Sequence, residues 1–83
     1  MLRLYGISIE TFELMRAAQG GVCKICLQPE ATGRNLSIDH DHTTGKVRGL
    51  LCSNCNNGLG RFGDSIERLA AAQRYLIDAR GRE

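Results

Sequence analysis

The sequence lacks the features that would place it in several common classes of protein. It contains no tryptophan and one proline, and no stretch approaches the ~20 consecutive apolar residues that a membrane-spanning helix needs. No leader-like segment precedes the first amphipathic stretch, so we expect no signal peptide. The formal net charge is only +2, which is too small to indicate nucleic-acid binding by itself. We therefore expect a cytoplasmic protein that does not contact membranes.

The chain is also too short to build a large hydrophobic core. Its 83 residues allow one domain at most, spanning 1–83, and 42% hydrophobic residues indicate a globular protein. Cores of this size give only a few kcal/mol of net stability, so such chains often carry a disulfide or a bound metal. Thiols stay reduced in the cytoplasm, so the four cysteines point to a metal before disulfides.

Hydrophobic periodicity and turn residues predict an α+β arrangement. A first helix is expected from about Ser8 to Gln19, with Ser8 as its N-cap. A short strand at 35–38 and a return strand at 47–51 follow a loop, and a short helix is expected from Cys52 to about Phe62. A final helix is expected at about 65–80. The sequence at its start resembles a capping box, with Asp64 as N-cap and Glu67 at the third helical position.

The cysteines form two knuckles of identical spacing, Cys23-Lys24-Ile25-Cys26 and Cys52-Ser53-Asn54-Cys55. Each knuckle places two thiolates on one side of a tight turn, and two facing knuckles supply the tetrahedron of sulfurs that zinc prefers. Four thiolates leave no open coordination position, so this zinc would be structural, with one ion per chain. An iron–sulfur cluster, which also accepts four thiolates, is the alternative occupant. Either metal would hold the two ends of segment 27–51 together, so that this segment forms a closed loop.

A cluster of acidic and imidazole side chains lies within segment 27–51. Asp39-His40-Asp41-His42 contains both histidines of the protein. Such a cluster suits metal binding or acid–base chemistry, although a polar loop whose members bond to each other is the simpler interpretation. Successive strand residues point to opposite faces, so a single site predicts that the chain leaves regular strand geometry at about Asp39 or His40. Asn56 follows the last cysteine on the next helix and would reach this region from a fixed scaffold.

These motifs together resemble a known family of nucleases. The resemblance rests on the Cys23 knuckle, the Asp39–His42 cluster, the run Gly45-Lys46-Val47-Arg48-Gly49-Leu50-Leu51-Cys52, and Asn54-Cys55-Asn56. Over about residues 20–60 this order of motifs closely resembles the recombination endonuclease VII family, which belongs to the HNH, or His-Me finger, nucleases. The resemblance implies a nuclease core at about 20–62. The resemblance implies a zinc-stapled ββα-metal fold with flanking N- and C-terminal helices. It also implies a DNA endonuclease, typical of phages and then located in the host cytoplasm.

The resemblance further implies a role for each motif residue. Asp39 and Asn56 would bind one catalytic Mg2+ or Mn2+, and His40 would be the general base. His42 would contact the scissile phosphate or assist the leaving group, and Lys46 and Arg48 would contact DNA. The substrate would be duplex or branched DNA, including recombination intermediates. The structural zinc would be held by Cys23, Cys26, Cys52 and Cys55.

Two other hypotheses accompany the nuclease. A non-catalytic zinc module that binds DNA or a protein would need the four cysteines but not Asp39, His40 and Asn56 together. The chain is also expected to form a homodimer or to dock on a larger DNA-processing machine, and the apolar stripe of the last helix is the expected interface.

Overall fold

A short hairpin and a helix form the N-terminal part of the fold. In the computed structural model, which describes residues 3–4 and 6–81, strands β1 (Arg3–Leu4) and β2 (Ile7–Ser8) pair antiparallel, and helix α1 spans Ile9–Ala18. The Ser8 hydroxyl accepts a hydrogen bond from the Thr11 N–H at 3.1 Å, which confirms Ser8 as the N-cap. The hairpin was not predicted, because two-residue strands are too short to show periodicity.

A second hairpin and a helix form the centre of the molecule. Strand β3 (Ser37–His40) pairs antiparallel with β4 (Val47–Leu51), and helix α2 (Ser53–Arg61) begins directly after β4. The predicted bounds of β4 are confirmed, whereas β3 starts and ends two residues later than predicted. With a third helix beyond α2, this arrangement confirms the predicted α+β class.

The small core lies where α1, the central hairpin and the cysteine knuckles meet. Its buried apolar residues are Phe12, Leu36, Leu50, Leu51, Cys23 and Cys52. Cysteine residues therefore make up part of the core itself, so the region that could bind a metal overlaps with the region that buries apolar surface.

Gln19 connects the end of α1 to the central hairpin. Its side-chain amide donates to the carbonyls of Val22 and Leu50, each at 2.9 Å, and its Oε1 accepts from the Leu50 N–H at 3.0 Å. Leu50 is fully buried, so these bonds satisfy a backbone N–H that has little access to water. The Gln19 side chain thus pairs with the backbone of β4 in the way that a neighbouring strand would.

Replacing Gln19 with methionine is expected to lower the free energy of unfolding by about 1–3 kcal/mol, because the Leu50 N–H then lacks its acceptor. The measurement is urea denaturation with zinc in excess. Gln73→Met, at an exposed position of the last helix, is the matched control and should change stability little. Equal stability of the two variants would show that the Gln19 bonds contribute nothing.

The last helix begins one residue later than its sequence suggests. Helix α3 spans Ile66–Arg80, and its N-cap is Ser65, whose hydroxyl accepts from the Arg68 N–H at 3.1 Å. The prediction that Asp64 caps this helix, with Glu67 at the third helical position, was therefore wrong. Asp64 instead has a positive φ of 55° and ends the preceding turn, so its carboxylate is available for other contacts.

Helix α3 projects from the rest of the molecule. It packs against no other helix or strand among the described residues, and its apolar side chains Ile66, Tyr75, Leu76 and Ile77 are exposed. The expected homodimer, or docking on a larger DNA-processing machine, stays a prediction. Within the described part of the chain, none of the helices is both long enough and apolar enough to cross a bilayer.

Candidate functional site

The four cysteines converge, as their spacing predicts. Their sulfur atoms all lie within 4.8 Å of one another, and Cys26 Sγ is 3.8 Å from Cys52 Sγ. A zinc tetrahedron with bonds of ~2.3 Å has sulfur–sulfur edges of about 3.8 Å. The cluster can therefore hold a metal ion such as zinc with little rearrangement.

Local backbone structure positions each knuckle. Cys52 is the N-cap of α2, and its sulfur accepts from the Cys55 N–H at 3.4 Å, so the second pair lies on the first helical turn. In the first knuckle, the Leu27 N–H donates to the Cys23 carbonyl at 3.0 Å, and Leu27 adopts a positive φ of 61°. This tight turn points Cys23 and Cys26 toward α2.

The electrostatics of the cluster favour a bound cation. Burial, together with hydrogen bonding among the thiols, raises the pKa of Cys55 to about 12. Burial acts in the same direction on Cys23, but backbone N–H groups outweigh it and lower the pKa of Cys23 to about 6. Without metal the cluster therefore cannot hold four thiolates near neutral pH. A metal ion would supply the positive charge that lets all four lose their protons.

Glu30 stabilises the helix that carries the second knuckle. Its Oε1 accepts from the Ser53 N–H at 2.6 Å, at the start of α2, where backbone N–H groups favour an anion. The Thr32 hydroxyl, with the backbone N–H groups of Ser53 and Thr32, lowers the pKa of Glu30 to about 2. The carboxylate is therefore charged at neutral pH and ties the 27–36 loop to α2.

Asp39 is a buried carboxylate with a cationic partner on the next strand. Only 8% of the residue is exposed. Arg48 donates to both of its oxygens, from Nε at 2.7 Å and from Nη2 at 3.0 Å. This two-bond pairing is the strong geometry for guanidinium and carboxylate, and it raises the pKa of Arg48.

An irregularity in the hairpin makes this pairing possible. Asp39 lies opposite Gly49 and His40 lies opposite Val47, so Arg48 is an extra residue in the register of β4. Such a bulge redirects a side chain and is common beside functional sites. The shift falls between Asp39 and His40, where the sequence predicts that regular strand geometry ends.

Asp64, in the turn after α2, contacts both Arg48 and His42. Its Oδ2 lies 3.1 Å from Arg48 Nη2 and 3.3 Å from His42 Nε2. The Asp64 side chain is 20% exposed, whereas that of His42 is 78% exposed. Arg48 therefore contacts two carboxylates, and Asp64 contacts two of the predicted site residues.

Asp41 shapes the turn between the strands. Its Oδ1 accepts from the N–H groups of Thr43 and Thr44 at 2.8 and 2.9 Å, which lowers its pKa. Within the Asp39–His42 cluster, the interpretation as a hydrogen-bonded polar loop therefore holds for Asp41. Lys46, also predicted to contact DNA, lies in this turn and is exposed.

The structure places the remaining predicted residues around the hairpin rather than in one contact set. Asp39 lines a cavity with Arg48 and Leu59, whereas His40 lines another with Phe12 and Ile38. Asn56 is half-buried on α2 and shares a helical face with Leu59, three residues on. Asp39, Arg48, His42 and Asp64 are thus directly linked, whereas His40 lines a different cavity and the roles of His40 and Asn56 stay predictions.

Sequence reasoning overlooked Asp64 as a site residue. Asp64 and Ser65 are both good helix caps, and the pattern favoured Asp64 because Glu67 follows it by three residues. The only signal in the sequence was this redundancy of two adjacent caps, which leaves one side chain without a capping role.

Comparisons with known proteins agree with the motifs. The family model of recombination endonuclease VII matches residues 1–78. The chain is 47% identical over 77 residues to the Gene 59 protein of Mycobacterium phage D29, covering 92% of this chain and 47% of that protein. For the Gene 59 protein of Mycobacterium phage L5, identity is 43% over 79 residues, covering 94% and 48%. The chain thus spans about half the length of these relatives, and no solved structure matches it.

Proposed function

Because the chain belongs to the recombination endonuclease VII family, we propose that it is a metal-dependent DNA endonuclease of the HNH, or His-Me finger, type. The observation that carries this proposal is the buried carboxylate of Asp39, which accepts two hydrogen bonds from Arg48 within the central hairpin and lines a cavity with Leu59 of α2. A purely structural zinc module has no need for a buried acid at this position. The proposed place of action is the cytoplasm.

The surroundings of Asp39 fit a divalent cation. Both carboxylate oxygens accept hydrogen bonds from the positively charged Arg48 guanidinium, so a cation bound at Asp39 would replace at least one of these contacts. Carboxylate and amide oxygens are the ligands that Mg2+ prefers, and Asp39 and Asn56 would hold it here. A bound Mg2+ or Mn2+ would neutralise charge on the phosphate and on the departing oxygen.

The residues of the chain would divide the remaining work. A neutral His40 would accept the proton of the attacking water, and His42 would contact the scissile phosphate or assist the leaving group. Lys46 and Arg48 would stabilise phosphate charge. Arg48 contacts Asp39 through Nε and Nη2, so it would contact a phosphate through Nη1 or after releasing part of its contact with Asp39.

The cysteine cluster would contribute rigidity rather than chemistry. We propose one structural zinc per chain, because four thiolates fill the coordination sphere. The zinc would join the turn before β3 to the first turn of α2. It would thereby hold the hairpin at a constant position relative to Asn56.

The proposal is tested by incubating supercoiled plasmid, linear duplex and a four-way junction with zinc-loaded protein, with and without Mg2+ or Mn2+. We expect cleavage that needs the added cation and is abolished in Asp39→Asn. Asp78→Asn, an exposed acid on α3, is the matched control and should cleave normally. DNA binding without cleavage of any substrate would favour the alternative, a non-catalytic zinc-binding interaction module.

A further inference from the structure

We propose that Asp64 is a positioning residue that holds Arg48 at the site when a divalent cation takes Asp39. This inference rests on the proposed function, in which Asp39 binds the cation. It assigns a role to the turn between α2 and α3, which lies outside the motifs on which the resemblance rests.

The first step is that Arg48 and a cation compete for the same oxygens. Arg48 donates to Oδ1 and Oδ2 of Asp39, so a cation that binds Asp39 must displace at least one of these bonds. Removing a guanidinium from a largely buried carboxylate is costly unless the guanidinium keeps another anionic partner. The site therefore needs a second acceptor for Arg48.

Asp64 is placed to be that acceptor. The same Nη2 atom that contacts Asp39 lies 3.1 Å from Asp64 Oδ2, so Arg48 can give up Asp39 without first losing all carboxylate contact. The Asp64 backbone is held in place, because its N–H donates to the Leu59 carbonyl at 2.9 Å and Ser65 performs the capping of α3. Asp64 is thus a fixed anchor in the turn directly after α2, and it is hydrogen-bonded to the helix that also carries Asn56.

The surroundings show what Arg48 would then face. Arg48, His42, Asp41 and Asp64 line one cavity of about 420 Å3 at the turn end of the central hairpin. This space exceeds the ~30 Å3 share of a single water many times over, so it can admit a phosphate group. With Arg48 retained by Asp64, its remaining N–H groups and His42 would point at a phosphate entering this cavity.

The test measures Mn2+ binding by titration calorimetry in zinc-loaded protein at low ionic strength. Asp64→Asn removes the charge but keeps a residue that tolerates a positive φ. We expect it to weaken Mn2+ binding about three- to tenfold, as for the loss of one partly exposed charge-assisted hydrogen bond. Asp64→Gly, which also accommodates this backbone, should behave alike, and Asp78→Asn should bind as the wild type does.

A double-mutant cycle separates positioning from simple charge attraction. In the Arg48→Gln background, Asp64→Asn should change Mn2+ affinity less than twofold, because the residue that Asp64 holds is absent. As a second readout, the Arg48 guanidinium N–H signals in NMR spectra should stay protected from solvent when Mg2+ is added to wild type, and should lose protection in Asp64→Asn.

The outcomes distinguish this inference from the proposed function. A wild type that neither binds Mn2+ nor cleaves DNA would refute both. A wild type that does both, with Asp64→Asn either unchanged or equally weakened in the two backgrounds, would overturn the role of Asp64 alone and leave the nuclease proposal standing.

Discussion

Replacing His40 with alanine is expected to slow metal-dependent DNA cleavage by about 10²–10⁴-fold, the usual contribution of a positioned general base. His40 ends β3 next to the buried Asp39, and it lines a cavity with Phe12 and Ile38 rather than projecting freely into solvent. Alanine removes the proton acceptor while leaving the strand intact. The measurement is the rate of plasmid nicking under single-turnover conditions with saturating Mg2+.

Two comparisons make this result specific to proton transfer. DNA affinity measured by gel shift should be nearly unchanged in His40→Ala, and added imidazole should restore part of the rate. A variant that cleaves at the wild-type rate would remove His40 from the mechanism.

Removal of zinc is expected to unfold the centre of the molecule. Structural zinc sites release on the order of 10 kcal/mol on binding, which is comparable to the whole stability of a small domain. Cys23 and Cys52 are also core residues, with exposures of 0% and 7%. Losing the metal would therefore leave thiol groups inside the core that nothing holds together. Chelation, or Cys23→Ser, should therefore abolish the amide signal dispersion of β3, β4 and α2 in NMR spectra.

Helix α3 supplies an internal comparison for that experiment. It packs against none of the other described elements. Removing the metal should therefore change the amide signals of α3 much less than the amide signal of the buried Leu50. Elemental analysis should find about one zinc per chain, and Co2+ substitution should give the absorption of a tetrahedral thiolate site. A chelated protein that kept the dispersed Leu50 signal would contradict the structural role of the metal.

Much of the fold follows from short-range patterns. The Ser8 cap, strand Val47–Leu51 and the helix from Cys52 agree with the sequence prediction, because capping, alternation and knuckle spacing act within a few residues. The meeting of the four cysteines was also predictable, since two identical knuckles indicate one shared metal. The start of α3 was mispredicted, because Asp64 and Ser65 are nearly equal as caps by residue type, whereas Asp64 is held with a positive φ in the turn that ends α2.

The position of Arg48 illustrates what local patterns cannot reveal. Sequence reasoning assigned Arg48 to DNA, whereas the structure shows it between Asp39 and Asp64. The contact depends on an extra residue in the register of β4, which no alternation of residue types reveals. The contact depends equally on the turn that follows α2, because this turn carries Asp64.

The sequence by itself determined the class of the fold and the convergence of the cysteines, and it supplied the residues proposed for the chemistry, because these depend on residue type and on spacing along the chain. Only the tertiary structure decided which charges meet. Arg48 joins Asp39 with Asp64 because a register shift and a positive-φ turn, far apart in the chain, bring one guanidinium between two carboxylates. Ion pairs of this kind are set by distances across the fold, and such distances are fixed only once the hairpin and α2 have packed together.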